Sequence, residues 1–344
     1  MREYIYSLMT DRREGLIAAL MKVLLSIASL FYGLSVRFIR FINRRTAKSL
    51  PCKVVSIGNL TLGGTGKTPT ACMVAKFLKS EGKNPCVLIR GYGEDEWKML
   101  ESLLGDIPVV VGRDRVSSGS KACSEYNADT VVLDDGFQHW RLKRDLNIVL
   151  VDSTNPFGNR RLFPRGLLRE EIDGLRRADI IMLTKTDMGS RNLGYIKEEL
   201  KKRTPDISIL ESVHSPTEIY NLYGRKALGL SALKERDICV LSSIVNTEYF
   251  EYTLKNLGAN ISARFHYPDH YDYKKSDLED IIKECKKSGI NTIVTTEKDA
   301  VKLYAKRYML NAKHEMQILV LHIETKVTNG ADALYKRLRS LYRS

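Results

Sequence analysis

With 344 residues, 43% of them hydrophobic and 28% charged, the chain has an ordinary globular composition and the length for two domains. Its formal net charge of +14 calls for an anionic partner: a phosphorylated substrate, an anionic membrane surface or nucleic acid. Six scattered cysteines form no Cys-x-x-Cys pair, which argues against a disulfide framework or structural zinc and for a reducing compartment.

The first element is apolar. From Gly15 to Val36 the only charge is Lys22, and the run could about cross a hydrocarbon core of roughly 30 Å. Arg12 and Arg13 precede it; Arg37, Arg40, Arg44, Arg45 and Lys48 follow without an intervening acid. A signal peptide would end in small residues and a neutral flank, so that reading fits poorly. A helix lying in or on a membrane interface fits the flanks best, with a single span and a buried core helix as alternatives.

After Pro51 strands and helices alternate. Strands are expected at Lys53–Ile57, Pro85–Arg90, Ile107–Gly112, Thr130–Leu133, Asn147–Val151 and Asp179–Thr184, and helices at Lys67–Glu81, Asp95–Leu104, Val116–Asn127 and Asn192–Arg203. The pattern loosens around Ser212–Ala232. A second series then runs through strand Ile238–Ser242, helix Glu248–Leu257, strand Ile261–Tyr267, helix Ser276–Ser288 and strands Thr292–Thr295 and Gln317–His322. The fold class implied is α/β: a doubly wound, mainly parallel sheet of the P-loop NTPase type, a smaller α/β domain, and an N-terminal membrane-associated helix. The expected divisions are 1–50, 51–215 and 216–344.

Gly58-Asn-Leu-Thr-Leu-Gly-Gly-Thr-Gly-Lys-Thr68 follows one of these strands and opens a helix, the context a phosphate loop requires. Gly63, Gly64, Thr65 and Gly66 would bring backbone close to phosphate oxygens at a helix N-terminus. Lys67 would reach the β- and γ-phosphates, and Thr68 would ligate Mg²⁺. Thr61 stands where the strict G-x-x-x-x-G-K-[ST] pattern has glycine. The run Thr130-Val-Val-Leu-Asp134-Asp135 ends an apolar strand in two carboxylates, the usual place for a further Mg²⁺ anchor. Thr184-Lys185-Thr186-Asp187 imitates the guanine reader of GTPases, so a GTPase-like metallochaperone or switch protein is the alternative. Against it, the Asp-x-x-G that such proteins need is missing, because Leu133 stands three before Gly136. No helix-turn-helix, zinc-ligand spacing or aromatic-basic RNA motif is present, so nucleic acid is not an expected partner.

Taken together, Gly58–Pro69, Arg90-Gly-Tyr-Gly93, Asp134–His139, Phe157-Gly-Asn159, Leu168-Arg-Glu170, Pro268-Asp-His270 and Thr296-Glu-Lys-Asp299 resemble the tetraacyldisaccharide 4′-kinase family of lipid A biosynthesis. Thr61 matches that family's own loop. The resemblance implies transfer of the ATP γ-phosphate to the 4′-hydroxyl of an acylated glucosamine disaccharide 1-phosphate, giving lipid IVA, on the cytoplasmic face of the bacterial inner membrane; a monomer is expected, though not from the resemblance. The resemblance also implies roles for individual residues. Asp95, in Glu94-Asp95-Glu96-Trp97, matches the proposed base of a family Gly-Asp-Glu-Pro segment whose flanking Gly and Pro are absent here. His270 would orient that base, drawing the proton from the sugar hydroxyl. Asp134, Asp135 and Glu170 would ligate Mg²⁺ or its water network, Arg169 would lie against phosphate oxygens, and Gln138, His139 and Asp269 would support them. Residues 51–215 then form the kinase domain, and 216–344 a smaller domain contributing to the cleft.

Overall fold

The structure is a computed structural model that describes residues 2–91, 94–305 and 316–343, with side chains from residue 4 in the first segment and from residue 96 in the second. The chain divides into two compact units. One comprises Met1–Gly91, Leu104–Val213 and Lys326–Ser344; the other comprises Tyr92–Leu103 and His214–Thr325.

The first unit begins with α1 (Arg2–Met9) and α2 (Leu16–Arg45). Its strands are β1 (Lys53–Asn59), β2 (Pro85–Ile89), β3 (Val109–Val111), β4 (Thr130–Asp134), β5 (Leu146–Asp152), β6 (Ile180–Thr184) and the first half of β7 (Ser208–Asn221). They lie in the order β7-β6-β5-β1-β4-β2-β3, and every pairing among them is parallel. The helices of this unit are α3 (Lys67–Ser80), α5 (Arg115–Glu125) and α6 (Leu193–Arg203); α4 (Glu94–Leu104), which follows β2 in the chain, belongs but for Leu104 to the second unit. Strands β2 and β4 are buried along their whole length, which explains their unbroken apolar runs. Central β1 has β4 on one side and β5 on the other, so the chain reverses winding direction at its C-terminal end. Ligands of open α/β sheets bind at such a switch point.

Helix α2 is 30 residues long, yet only Ala18 and Ser29 are buried in it. Leu16, Ile17, Leu20, Leu30, Phe31, Leu34 and Phe38 are each more than half exposed. The core-helix alternative therefore fails. One stripe of α2, at Ser29, Gly33, Arg37 and Arg40, does pack on the chain's own loop between Leu162 and Glu171. Ser29 Oγ donates to Leu162 O at 2.8 Å, and a Cβ at Gly33 would lie 2.9 Å from Leu162 Cδ1. Arg37 pairs with Glu171. Helix α1, which carries no sequence signal of its own, is pinned beside α2 by Asp11. That carboxylate accepts from Arg165 at 2.7 Å, Asn159 at 2.9 Å and Lys22 at 2.8 Å.

The second unit contains the rest of β7, then β8 (Ala227–Leu228), β9 (Asp237–Ser242), α7 (Thr247–Asn256), β10 (Asn260–His266), α8 (Lys275–Lys287), β11 (Thr292–Thr296), α9 (Glu297–Ala305) and most of β12 (Gln317–Asn329). Strands β10-β9-β11-β12 are parallel neighbours, and β8 turns back antiparallel on β7. Alternation along β9 shows why both sheet faces are covered. Ile238 and Val240 pack with Phe250 and Leu254 of α7, whereas Cys239 and Leu241 pack with Leu278, Ile281 and Cys285 of α8.

Two expectations are corrected. The loose stretch from Ser212 contains most of a 14-residue strand, β7, whose buried positions include Ser212 and His214. Polar residues on the buried face hid it; Ser212 Oγ is satisfied by donating to Leu183 O at 3.1 Å. The second unit also ends before 344. Residues Lys326–Ser344 return to the first unit, where α10 (Ala331–Ser340) lies against α3. Tyr335 stacks on Phe77 with centroids 4.3 Å apart, and Arg339 grips both carboxylate oxygens of Glu81 at 2.8 and 2.9 Å. Residues 92–103, in turn, belong to the second unit.

Candidate functional site

The turn between β1 and α3 is built to bare its amides. Gly63 and Gly66 have φ of +129° and +86°, conformations in which an L side chain is strained. Gly66 is the N-cap of α3 and has no side chain to occupy the first-turn N–H groups. The loop's carbonyls are taken from behind: Lys185 Nζ donates to Gly64 O at 2.7 Å, and Thr184 Oγ1 donates to Thr65 O at 3.1 Å. Lys185 is itself buried and paired with Asp152. Thr184 and Lys185, which in sequence imitate a base reader, thus brace the phosphate loop.

Parallel pairing puts Ile57 of β1 beside Asp134 of β4, which brings Asp134 to the start of α3. Thr68 Oγ1 donates to Asp134 Oδ2 at 2.7 Å. A hydroxyl and a carboxylate at a phosphate loop are hard oxygen donors suited to Mg²⁺, which takes one or two carboxylates and completes its shell with phosphate and water. These residues therefore fit the ion and a nucleoside triphosphate. Among the described residues no group of three or more His, Cys, Asp or Glu could hold a metal ion by itself.

Asp135 follows in the left-handed region, φ +56°. Arg169 Nη1 donates to its two oxygens at 2.7 and 2.9 Å, and Lys67 Nζ lies 3.8 Å away. Burial alone would raise this carboxyl, but Lys67, Arg169 and Arg115 hold it below the usual range. Arg169 reaches this spot because residues 167–169 run along the loop: Leu62 N donates to Leu167 O at 2.7 Å and Arg169 N to Leu60 O at 2.8 Å.

Glu170 is 2% exposed and is engaged by Arg177 at 2.6 Å, Gln138 Nε2 at 2.9 Å and Arg40 of α2 at 3.8 Å. Gln138 also donates to Asn59 O at 2.8 Å, tying the base of the phosphate loop to Glu170. Burial pushes the His139 imidazole down to about 4, helped by Arg115 and Arg144, so it is neutral at pH 7. Its Nε2 is buried and finds no hydrogen-bond partner among the described residues.

Sequence reasoning missed Arg115. It is 3% exposed, begins α5, and donates to the Asp134 backbone carbonyl at 2.9 Å. Nothing in Gly112-Arg113-Asp114-Arg115 distinguishes it from a solvated helix start.

In the second unit, His270 and Asp269 share the loop after β10 with Lys298 of α9 close by; Lys298 Nζ is 2.9 Å from Asp269 and 3.2 Å from His270 Nε2. Glu96 of α4 lies 3.7 Å from His270. The side chain of Asp95 lies outside the described residues.

The chain matches the family described as tetraacyldisaccharide-1-P 4′-kinase over residues 21–98 and 94–343. It belongs to that family. The relatives agree in length as well as sequence. The tetraacyldisaccharide 4′-kinase of Syntrophus aciditrophicus is 38% identical over 82% of this chain and 84% of its own. That of Halothermothrix orenii is 30% identical over 96% of both. A crystal structure of LpxK from Aquifex aeolicus in complex with ATP has a TM-score of 0.71 and 26% identity, covering 94% of this chain and 100% of that one. Membership in a family of lipid kinases disfavours the GTPase-like alternative. Thr61 pairs its backbone with Leu168 in an isolated bridge beside the phosphate loop.

Proposed function

We propose that this kinase transfers the γ-phosphate of ATP to the 4′-hydroxyl of a tetraacyldisaccharide 1-phosphate, a lipid A precursor, giving lipid IVA. The observation that carries the reading is the phosphate loop of the first unit, with Thr68 on Asp134 and Lys67 beside Asp135, in a chain that matches the family nearly end to end.

Phosphoryl transfer asks mainly for positioning and charge neutralisation. Lys67 and the amides of Gly64–Thr68 hold the β- and γ-phosphates. Thr68 and Asp134 would hold Mg²⁺, with Asp135 in support, and the ion would supply positive charge against the phosphates. Arg169, now occupied by Asp135, turns to phosphate oxygens when they are present. Gln138 keeps Asn59, Arg169 and Glu170 in register, and Glu170, with His139 in support, would serve the water network of Mg²⁺. On the acceptor side, Asp95 takes the hydroxyl proton and His270 orients it.

The acceptor is a lipid, and α2 supplies the means to meet it. Its exposed apolar face and the arginines of its last turns suit a helix lying at the cytoplasmic face of the inner membrane, with Arg44 and Arg45 at anionic headgroups.

The test is incubation of the purified protein with labelled ATP, or GTP in parallel, and the acylated disaccharide 1-phosphate. Transfer from ATP to the lipid supports the reading; hydrolysis without transfer, or preference for GTP, contradicts it.

A further inference from the structure

His270 is held in a left-handed backbone conformation, φ +61°, at which a histidine is strained. Its Nε2 faces three groups at once: Lys298 Nζ at 3.2 Å, Asp269 Oδ2 at 3.6 Å and Glu96 Oε1 at 3.7 Å. Lys298 also donates to Asp269 Oδ1 at 2.9 Å and lies 3.7 Å from Glu96.

Of the two tautomers, these distances favour one. An ammonium group has donors and no acceptor. To accept from Lys298 at 3.2 Å, Nε2 has to present its lone pair, which leaves the ring's single proton on Nδ1. A proton on Nε2 would point at the lysine cation. Asp269 and Glu96 pull the other way, because each would accept from a protonated Nε2. Lys298 decides the contest.

Its own position is fixed from below. Thr296 and Asp299 cap α9 reciprocally: Thr296 Oγ1 donates to Asp299 Oδ2 at 2.8 Å, and Asp299 N donates back to Thr296 Oγ1 at 3.2 Å. Asp299 is fully buried and also accepts from Ser243 N at 2.9 Å and from Tyr273 Oη at 3.1 Å. Tyr273 is fully buried too and lies three residues after His270. One carboxylate thus anchors both the helix that carries Lys298 and the loop that carries His270.

We propose that Lys298 is a positioning residue, which keeps the imidazole proton of His270 on Nδ1 and keeps Asp269 and Glu96 from claiming its Nε2. The role rests on the kinase reading, in which His270 serves the proton transfer from the acceptor hydroxyl. Lys298→Met leaves two carboxylates unopposed around Nε2, and the ring then takes its proton there or exchanges between tautomers. Lys298→Arg keeps a cationic donor on α9.

The experiment is nitrogen NMR of full-length protein labelled in histidine, with His270 assigned by its loss in His270→Gln, alongside steady-state transfer kinetics. The wild type is expected to show a protonated Nδ1 and a bare Nε2. Lys298→Met is expected to lose that pattern and to drop kcat about tenfold to a hundredfold, with KM for ATP unchanged. Lys298→Arg should restore the pattern and most of kcat. A wild-type ring protonated at Nε2 overturns the proposal, and this holds even where Lys298→Met does not fold. So does a Lys298→Met protein with wild-type spectrum and kcat. A wild type that keeps the Nδ1 tautomer yet transfers no phosphate leaves the contact standing and sinks the kinase reading, and with it this role.

Discussion

Thr68 and Asp134 are 66 residues apart in sequence and 2.7 Å apart in space, joined only because β1 and β4 pair in parallel. Both were legible from the sequence, since a Gly-Lys-Thr at a strand-to-helix turn and an acidic strand end are local signals. Arg115 was not, because its value depends on a carbonyl brought from β4. His139 was visible only as a neighbour of the acidic pair, and its environment makes a prediction at this scale. Its pKa lies below the unfolded value, 6.5 against about 4. The unfolded chain therefore binds the proton first as pH falls. Stability is complete above pH 6.5 and is lost between there and pH 4. After discounting for the part of the ring that solvent reaches, the loss should be no more than roughly 2–3 kcal/mol. Urea melts at pH 7 and pH 5 should show this slope in the wild type and a flatter one in His139→Gln. Equal slopes would contradict the assignment.

At the scale of elements, Gly136 shows how one position serves two readings. Its place after the acidic pair invited comparison with a GTPase switch, but the structure gives it a packing reason. A Cβ there would lie 2.6 Å from Ser56 Oγ and 2.7 Å from Leu133 Cβ. Gly136→Ala should therefore destabilise the protein by about 1–3 kcal/mol and weaken ATP binding through the displaced β4 end, measured by denaturation and titration. An unchanged melt would mean the turn is looser than it looks. Helix α2 makes a second prediction. Deleting it would also remove Tyr32, whose hydroxyl donates to Arg169 O at 3.0 Å, so loss of the whole helix would disturb the nucleotide site as well. Substitution is the cleaner probe. Leu20→Glu with Phe31→Glu alters side chains 63% and 68% exposed. It should release the protein from vesicles of anionic lipid and lower transfer to the lipid acceptor, while ATP affinity and melting temperature stay unchanged. Vesicle binding equal to wild type would remove α2 as the anchor.

At the scale of the molecule, the alternation of strands and helices told the fold class, because parallel sheets covered on both faces leave long apolar runs. The division into units was harder to read. Residues 326–344 rejoin the first unit through contacts such as Phe77–Tyr335, which no local pattern announces. Strand β7 escaped notice because serine and histidine occupy its buried face. The family motifs were recognisable in spite of this, since each is a short local run. They point to one chemistry, transfer of phosphate from ATP to a lipid hydroxyl. The most direct test is to follow label from the γ-position of ATP into the acylated disaccharide 1-phosphate, and to locate it in the product by mass spectrometry. The wild type should place it on the 4′-oxygen, and Lys67→Ala should reduce transfer at least about a hundredfold without unfolding. Label elsewhere on the sugar, or normal turnover by Lys67→Ala, would contradict the account.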